Sequence, residues 1–170
     1  NYREAYNLFS CSGILFNHES PRRGETFVTK KITDAVKKIK NKEQDLLTLG
    51  NIYTKRDWGY APEYVEAMWM MLQDQSANDY VVATGKTFTV KDFVSLCFDE
   101  INISLKWEGE GLDEVGINKK NGKIVVKIDK KYFRPSDVEY LKGDSSKIKK
   151  SLGWAHRTSM HELAKIMLNK

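Results

Sequence analysis

Cysteine and proline are both scarce, with two and three copies in 170 residues. Cys11 and Cys97 stand far apart, neither forms a Cys-x-x-Cys pair, and the three histidines are not at ligand spacing. Structural zinc needs four clustered N/S ligands, so no metal site is expected. Free thiols in a reducing compartment, the cytoplasm, are the expectation. No apolar run approaches the ~20 residues of a membrane span, and the start Asn1-Tyr2-Arg3-Glu4 is too polar for a signal peptide. No large surplus of either charge exists: 28 Lys+Arg against 23 Asp+Glu give +5. That suits an anionic ligand without implying nucleic acid. The lysine runs around Lys119, Lys130 and Lys149 are interrupted by acids and read as solvated surface.

Catalytic signatures are missing as well. There is no G-x-S-x-G elbow, Walker loop, H-E-x-x-H or G-x-G-x-x-G. Glu108, Glu110, Asp113 and Glu114 fall in a Gly-rich stretch and read as a solvated acidic loop. An initiator methionine is also lacking, and Tyr2-Arg3-Glu4-Ala5-Tyr6 reads as part of a helix. A piece of a longer protein is expected.

What is present is globular: 41% hydrophobic and 30% charged residues, enough for a real core. Residues 8–17 (LFSCSGILFN) look like a strand buried on both faces, as in a parallel sheet. Val28, Ile32, Ala35, Val36 and Ile39 form one helical stripe with Lys31 on its flank. Residues 46–49 predict a short strand. Ala61, Val65, Met68, Trp69 and Leu72 predict the inner face of a second helix, with Glu63, Glu66 and Gln73 outside. Residues 80–83, 104–107 and 124–128 read as strands, and 108–123 as a loop. Thr89 with Asp92, and Ser159 with Glu162, are capping boxes opening two further helices. Strands alternating with helices predict an α/β fold with a parallel sheet.

The informative residues are cations near turns: Arg22 and Arg23, Arg56 before Asp57-Trp58-Gly59, and Arg134 before Pro135. Arginine presents a planar fork to phosphate oxygens, and ligands of α/β folds bind outside the carboxyl ends of strands. With Asn17 and Lys31, these arginines make a diphosphate-shaped set.

The segments FNHESPRRG, FVTKKI, LGN, KRDWG, YVEAMW, ATG and YFRPSDVEYLKGD occur in this order from Phe16 to Asp144. Together they closely resemble GDP-mannose 4,6-dehydratases, extended short-chain dehydrogenase/reductases, over essentially the whole chain. Related sugar-nucleotide epimerases and dehydratases share a looser layout. Another member of that superfamily, or a non-catalytic nucleotide-sugar binding fragment, therefore stands as the alternative.

The resemblance implies the C-terminal part of such an enzyme. The last strands of a Rossmann-type parallel sheet would fall in residues 1–20 and 53–85. A smaller α/β substrate-binding domain would fall in 21–52 and 86–170. The family's Gly-rich loop and its catalytic Thr, Glu and Tyr-x-x-x-Lys would lie before Asn1, so this chain alone is expected to be inactive.

The implied reaction is the NADP-dependent, redox-neutral conversion of GDP-mannose to GDP-4-dehydro-6-deoxy-mannose and water. This is the first step toward GDP-fucose and other GDP-deoxysugars. By the same resemblance His18 and Arg23 contact the cofactor, Arg23 at a phosphate. Asn17, Val28, Lys31, Leu49 and Gly50 contact the nucleotide sugar. Arg56 and Arg134 hold its diphosphate, and Asp137, where the family commonly has Glu, binds ribose hydroxyls. Glu19, Ser20 and Arg22 are placed at a contact between copies in a dimer or tetramer, with neither nucleic acid nor membrane as partner. Tyr60, Pro62-Glu63 and Ala155-His156 depart from the family's usual residues.

Overall fold

The computed structural model describes residues 1–133 and 136–169. Arg134 and Pro135 lie outside the described residues, and so does the role expected of Arg134. The chain opens with α1 (Tyr2–Tyr6), β1 (Ser12–Leu15), β2 (Asn17–Glu19), α2 (Val28–Lys40), β3 (Leu47–Leu49), β4 (Lys55–Arg56) and β5 (Trp58–Tyr60). It continues with α3 (Ala61–Gln73), β6 (Asp79–Val82), β7 (Phe88–Thr89), α4 (Val90–Asp99), β8 (Leu105–Glu108), β9 (Val115–Asn118), β10 (Ile124–Ile128), α5 (Ser146–Leu152) and α6 (Met160–Leu168). Among the described residues no helix is long and apolar enough to cross a membrane.

Two apolar clusters organise these elements. In the larger, α2, α4 and α6 cover a four-stranded sheet of order β3-β10-β9-β8. There β3 and β10 run parallel and the other neighbours antiparallel. Ile32, Val36, Phe93, Val94, Phe98 and Val126 are all fully buried in it. Both capping boxes form. In α4, Asp92 N donates to Thr89 Oγ1 at 3.0 Å and Thr89 N to Asp92 Oδ2 at 2.8 Å. In α6, Glu162 N donates to Ser159 Oγ at 3.2 Å and Ser159 N to Glu162 Oε2 at 2.7 Å. Each box satisfies two helix-end donors that the helix itself cannot.

The smaller cluster packs α3, α5 and Trp154 on the parallel pair β1-β6. The stretch expected as one doubly buried strand is two strands. After Leu15, which pairs with Val82, the chain changes partner: Asn17 pairs with Trp58, His18 with Gly59 and Glu19 with Tyr60. Leu8 and Phe9 lie outside the strand, and Ile14 is 56% exposed. Only one edge of β1 is paired among the described residues, so burial on both faces is not reached.

Helix α3 is turned over relative to the expectation. Val65, Trp69 and Leu72 are 61%, 63% and 60% exposed, while Glu63, Tyr64, Ala67 and Met71 are buried. The inward face is the one with bonds to make. The Glu63 carboxylate accepts from Arg157 N at 3.2 Å, Thr158 N at 3.0 Å and Thr158 Oγ1 at 2.7 Å, and its carbonyl accepts from Trp154 Nε1 at 2.9 Å. A carboxylate so supplied is stable when buried.

The expected loop 108–123 contains a central strand. β9 buries Gly116 and Asn118 rather than apolar side chains, and Gly116 lies close against Val126 and Trp107. Glu114 is not solvated. It is buried, held by Lys91 Nζ at 2.5 Å and by the Tyr53 hydroxyl. β10 also departs from simple alternation: a register shift after Ile124 buries both Val125 and Val126.

Tyr64 sits between His18, stacked at 5.0 Å, and Trp154, edge-on at 5.9 Å. A Cβ on Gly59 would overlap the Tyr64 ring. Packed against these two rings and fully buried, Tyr64 has little room to move, and overpacking of this kind costs about 1–3 kcal/mol. Gly59→Ala is therefore expected to melt roughly 3–10 °C below the parent in a thermal scan. An unchanged melting point would show that the ring has room to move.

Candidate functional site

β2 brings the first expected site residues together. His18 Nδ1 lies 2.8 Å from the Phe16 carbonyl oxygen. A carbonyl only accepts, so Nδ1 carries the proton. Asn17 is paired with Trp58, two residues from Arg56.

Glu19 is 1% exposed, which removes it from the surface contact between copies expected of it. Its Oε2 accepts from Thr29 Oγ1 at 2.6 Å and meets Arg23 Nε at 3.1 Å. The Arg23 guanidinium lies 3.5 Å over the Phe27 ring. Burial pushes the Glu19 carboxyl above its ordinary range, opposed by the Thr29 hydrogen bond and then by the charges of Arg23 and His18.

The second group surrounds α2 and β3. Lys31, on the flank of the α2 stripe, places Nζ 3.8 Å from the centre of the Tyr132 ring, and burial holds its ammonium below the usual lysine range. Leu49 is buried at the end of β3. Any Cβ on Gly50 would strike the Tyr132 carbonyl, so the chain can pass there only as glycine. Lys31, Ala35, Lys38, Leu47, Thr48 and Tyr132 line a cavity of about 580 Å³, a volume in the range of small-molecule sites. Val28 packs against the larger core at the start of α2.

The third group is the β4 turn. Arg56 Nη2 donates to Asp137 Oδ1 at 2.9 Å, and Nη1 donates to the carbonyls of Lys55, at 3.0 Å, and Val138. Two residues expected at separate parts of a ligand are thus partners of each other. Lys55 N donates to Glu139 O at 2.8 Å and Leu141 N to Lys55 O at 3.1 Å, so the 137–141 segment runs along β4. Tyr132 lines the cavity and Asp137 pairs with the arginine.

Asp57, beside Arg56, is the buried anchor of this turn. Its Oδ1 accepts from Thr84 N at 2.9 Å and Thr84 Oγ1 at 2.6 Å, and its Oδ2 from Gly85 N at 2.9 Å and Gly143 N at 3.2 Å. The motifs KRDWG, ATG and YLKGD, distant in sequence, meet at this carboxylate. Asp57, Tyr132 and Thr29 were not singled out in the sequence. Asp57 had a signal, since it stands inside a recognisable motif. Tyr132 and Thr29 also stand inside recognisable motifs, but their roles depend on contacts across elements that the motifs do not show.

Comparison with known proteins follows the same lines. A family model described as GDP-mannose 4,6 dehydratase matches residues 1–167. The chain is 53% identical to GDP-mannose 4,6 dehydratase of Drosophila melanogaster, covering 99% of this chain and 42% of that protein. It is 55% identical to the Dictyostelium discoideum protein of the same name, covering 100% and 48%, and 49% identical to that of Homo sapiens, covering 99% and 45%. The chain therefore spans less than half the length of these relatives.

Among solved structures, RMD from Pseudomonas aeruginosa complexed with NADPH superposes with a TM-score of 0.77 at 15% identity, over 98% of this chain and 49% of that one. UDP-glucose 4-epimerase of Thermotoga maritima with UDP-glucose gives a TM-score of 0.71 at 20% identity, over 98% and 47%. At such identities these two speak for the fold alone.

Proposed function

Because this chain belongs to the GDP-mannose 4,6-dehydratase family, we propose that the protein it forms part of removes water from GDP-mannose to give GDP-4-dehydro-6-deoxy-mannose. In this reading the chain supplies the nucleotide-sugar side of the site and part of the cofactor side. The observation that carries it is the cavity together with the arginine turn. Lys31 and Tyr132 border a nucleotide-sized cavity, and Asp137 and Val138 fix Arg56.

The division of labour follows from the chemistry of each group. Leu49 and Gly50 are assigned the nucleoside wall as the family resemblance implies; Leu49 is buried in the core and Gly50 packs against the Tyr132 carbonyl. Lys31, already partly desolvated, supplies positive charge where a nucleotide enters. Arg56 supports the diphosphate, with Asn17 as an amide donor nearby. Arg134 is assigned the second diphosphate fork and Asp137 the ribose hydroxyls, as the family resemblance implies. Val28 completes the nucleotide side.

The donor set on β2 and the loop after it fits a nicotinamide dinucleotide. Arg23 offers a guanidinium to a phosphate, and His18 offers Nε2 with its tautomer set by Phe16. When bound, such a cofactor supplies hydride exchange with the sugar; we assign it as NADP. The residues here hold and orient it. The complete protein is assigned to the cytoplasm as a dimer or tetramer, with Ser20 and Arg22 at the contact between copies.

The test is turnover by the complete protein. GDP-mannose is expected to lose one water by mass spectrometry, while UDP-sugars stay unchanged. Conversion of a UDP-sugar with GDP-mannose untouched would overturn the assignment. Within the site, Lys31→Met is expected to weaken GDP binding about tenfold, the loss of one charge-assisted hydrogen bond. Lys40→Met, on the exposed end of α2, is expected to leave GDP binding unchanged. Titration calorimetry of both variants checks this, and equal affinities would remove Lys31 from the site.

A further inference from the structure

Glu19 has no part in the contacts assigned above to cofactor or substrate, yet it is a carboxylate 1% exposed on the strand that carries Asn17 and His18. Burying a carboxylate is unfavourable unless it is paired and hydrogen-bonded. Here one oxygen does both, accepting from the Thr29 hydroxyl at 2.6 Å and facing Arg23 Nε at 3.1 Å. The approach to Arg23 is electrostatic, its angle lying outside hydrogen-bond geometry.

Thr29 lies between Val28 and Lys31 in the first turn of α2, and Arg23 lies in the loop before it. A single oxygen therefore ties the expected cofactor loop to the expected nucleotide helix. Arg23 is restrained a second time, its guanidinium stacked 3.5 Å over Phe27. A free arginine side chain carries large rotamer freedom, which must be given up on binding a phosphate. Here the loss is already made, because Nε is engaged and the flat face is covered. The two terminal amino groups are not part of the Glu19 contact.

We infer that Glu19 is a positioning residue for Arg23, holding its guanidinium so that the terminal amino groups meet a cofactor phosphate, with Thr29 locking the carboxylate in place. This rests on the reading of Arg23 as a cofactor contact. Glu19 itself touches neither cofactor nor substrate, so its effect on cofactor binding passes through Arg23.

The experiment is a double-mutant cycle on NADPH affinity, read by nucleotide fluorescence in the complete protein. Arg23→Ala is expected to weaken NADPH binding roughly 30-fold, the loss of charge-assisted bonds to phosphate. Glu19→Gln keeps an acceptor for Thr29 but removes the charge facing Arg23, and is expected to weaken binding about 3- to 10-fold. The double variant is expected to match Arg23→Ala alone, because Glu19 has nothing left to position.

If Glu19→Gln lowers the melting temperature while NADPH affinity is unchanged, or if the two losses multiply in the double variant, the inference is overturned and Glu19 is structural. If Arg23→Ala leaves NADPH affinity intact, the assignment of Arg23 itself falls, and this inference with it. Should Glu19→Gln fail to fold, Glu19→Asp, which shortens the carboxylate by one methylene, is read in the same cycle.

Discussion

Asp57→Ala is expected to take away most of the stability of this chain. Asp57 is 0% exposed and accepts four hydrogen bonds, three of them from the backbone amides of Thr84, Gly85 and Gly143. Alanine leaves those amides in a space lined by protein. Each donor stripped of its partner costs about 1–3 kcal/mol. The four donors together make about 4–12 kcal/mol, comparable with the ~5–15 kcal/mol that holds a whole domain. No neighbour can move in to compensate on the Gly143 side, where a Cβ would already overlap Ala83 and the Phe16 ring.

Asp57→Asn refines the expectation. Both carboxylate oxygens serve two donors each, and an amide nitrogen accepts none. Whichever way asparagine turns, its NH₂ faces two donors. A loss of about 2–4 kcal/mol follows, roughly 5–10 °C for a chain of this size. Alanine should then melt lower still, or show no cooperative transition. Circular dichroism melts of the two variants decide it, and an alanine variant within about 3 °C of the parent would mean that water replaces the carboxylate.

How much of this could be read in advance differs by element. The α2 stripe and both capping boxes were legible, because 3.6-residue periodicity and cap chemistry are local. Lys31 on the stripe's flank was legible for the same reason, and it does reach the cavity. The face of α3 was not. Val65, Met68, Trp69 and Leu72 form a better apolar stripe than the one actually buried. Glu63 decides the matter through partners near residue 157, which no window of one helix contains.

β9 was missed because its inward positions are glycine and asparagine. A glycine that fits against Val126 looks, in sequence, like a loop signal. The site was legible only through its motifs. NHESPRRG and KRDWG pointed to a neighbourhood, but Glu19 was expected at a contact between copies, and it is buried where β2 and α2 close around it. Arg56 and Asp137, 81 residues apart, are ion-pair partners only once the fold brings β4 beside the later segment.

Arg56→Ala in the complete protein is expected to raise the KM for GDP-mannose about 10²- to 10⁴-fold, with a smaller change in kcat. A guanidinium has five N–H donors. In Arg56 three are used, on Lys55 O, Val138 O and Asp137 Oδ1, and the remaining two can meet a diphosphate. Two charge-assisted bonds of about 1.5–3 kcal/mol each set the scale of the loss. The side chain is only 15% exposed and is held from two segments of chain, so little ordering is left to be done when the ligand arrives.

Arg56→Lys retains the charge without the fork and should fall between, near tenfold. Asp137→Asn keeps an acceptor for Nη2 and should change KM by less than tenfold. The alternative is that Arg56 only ties β4 to the 137–141 segment. In that case Arg56→Ala leaves KM alone and lowers the melting temperature instead. Steady-state kinetics and a melt on the same sample separate the two roles, because a diphosphate contact acts on KM in protein that is still folded.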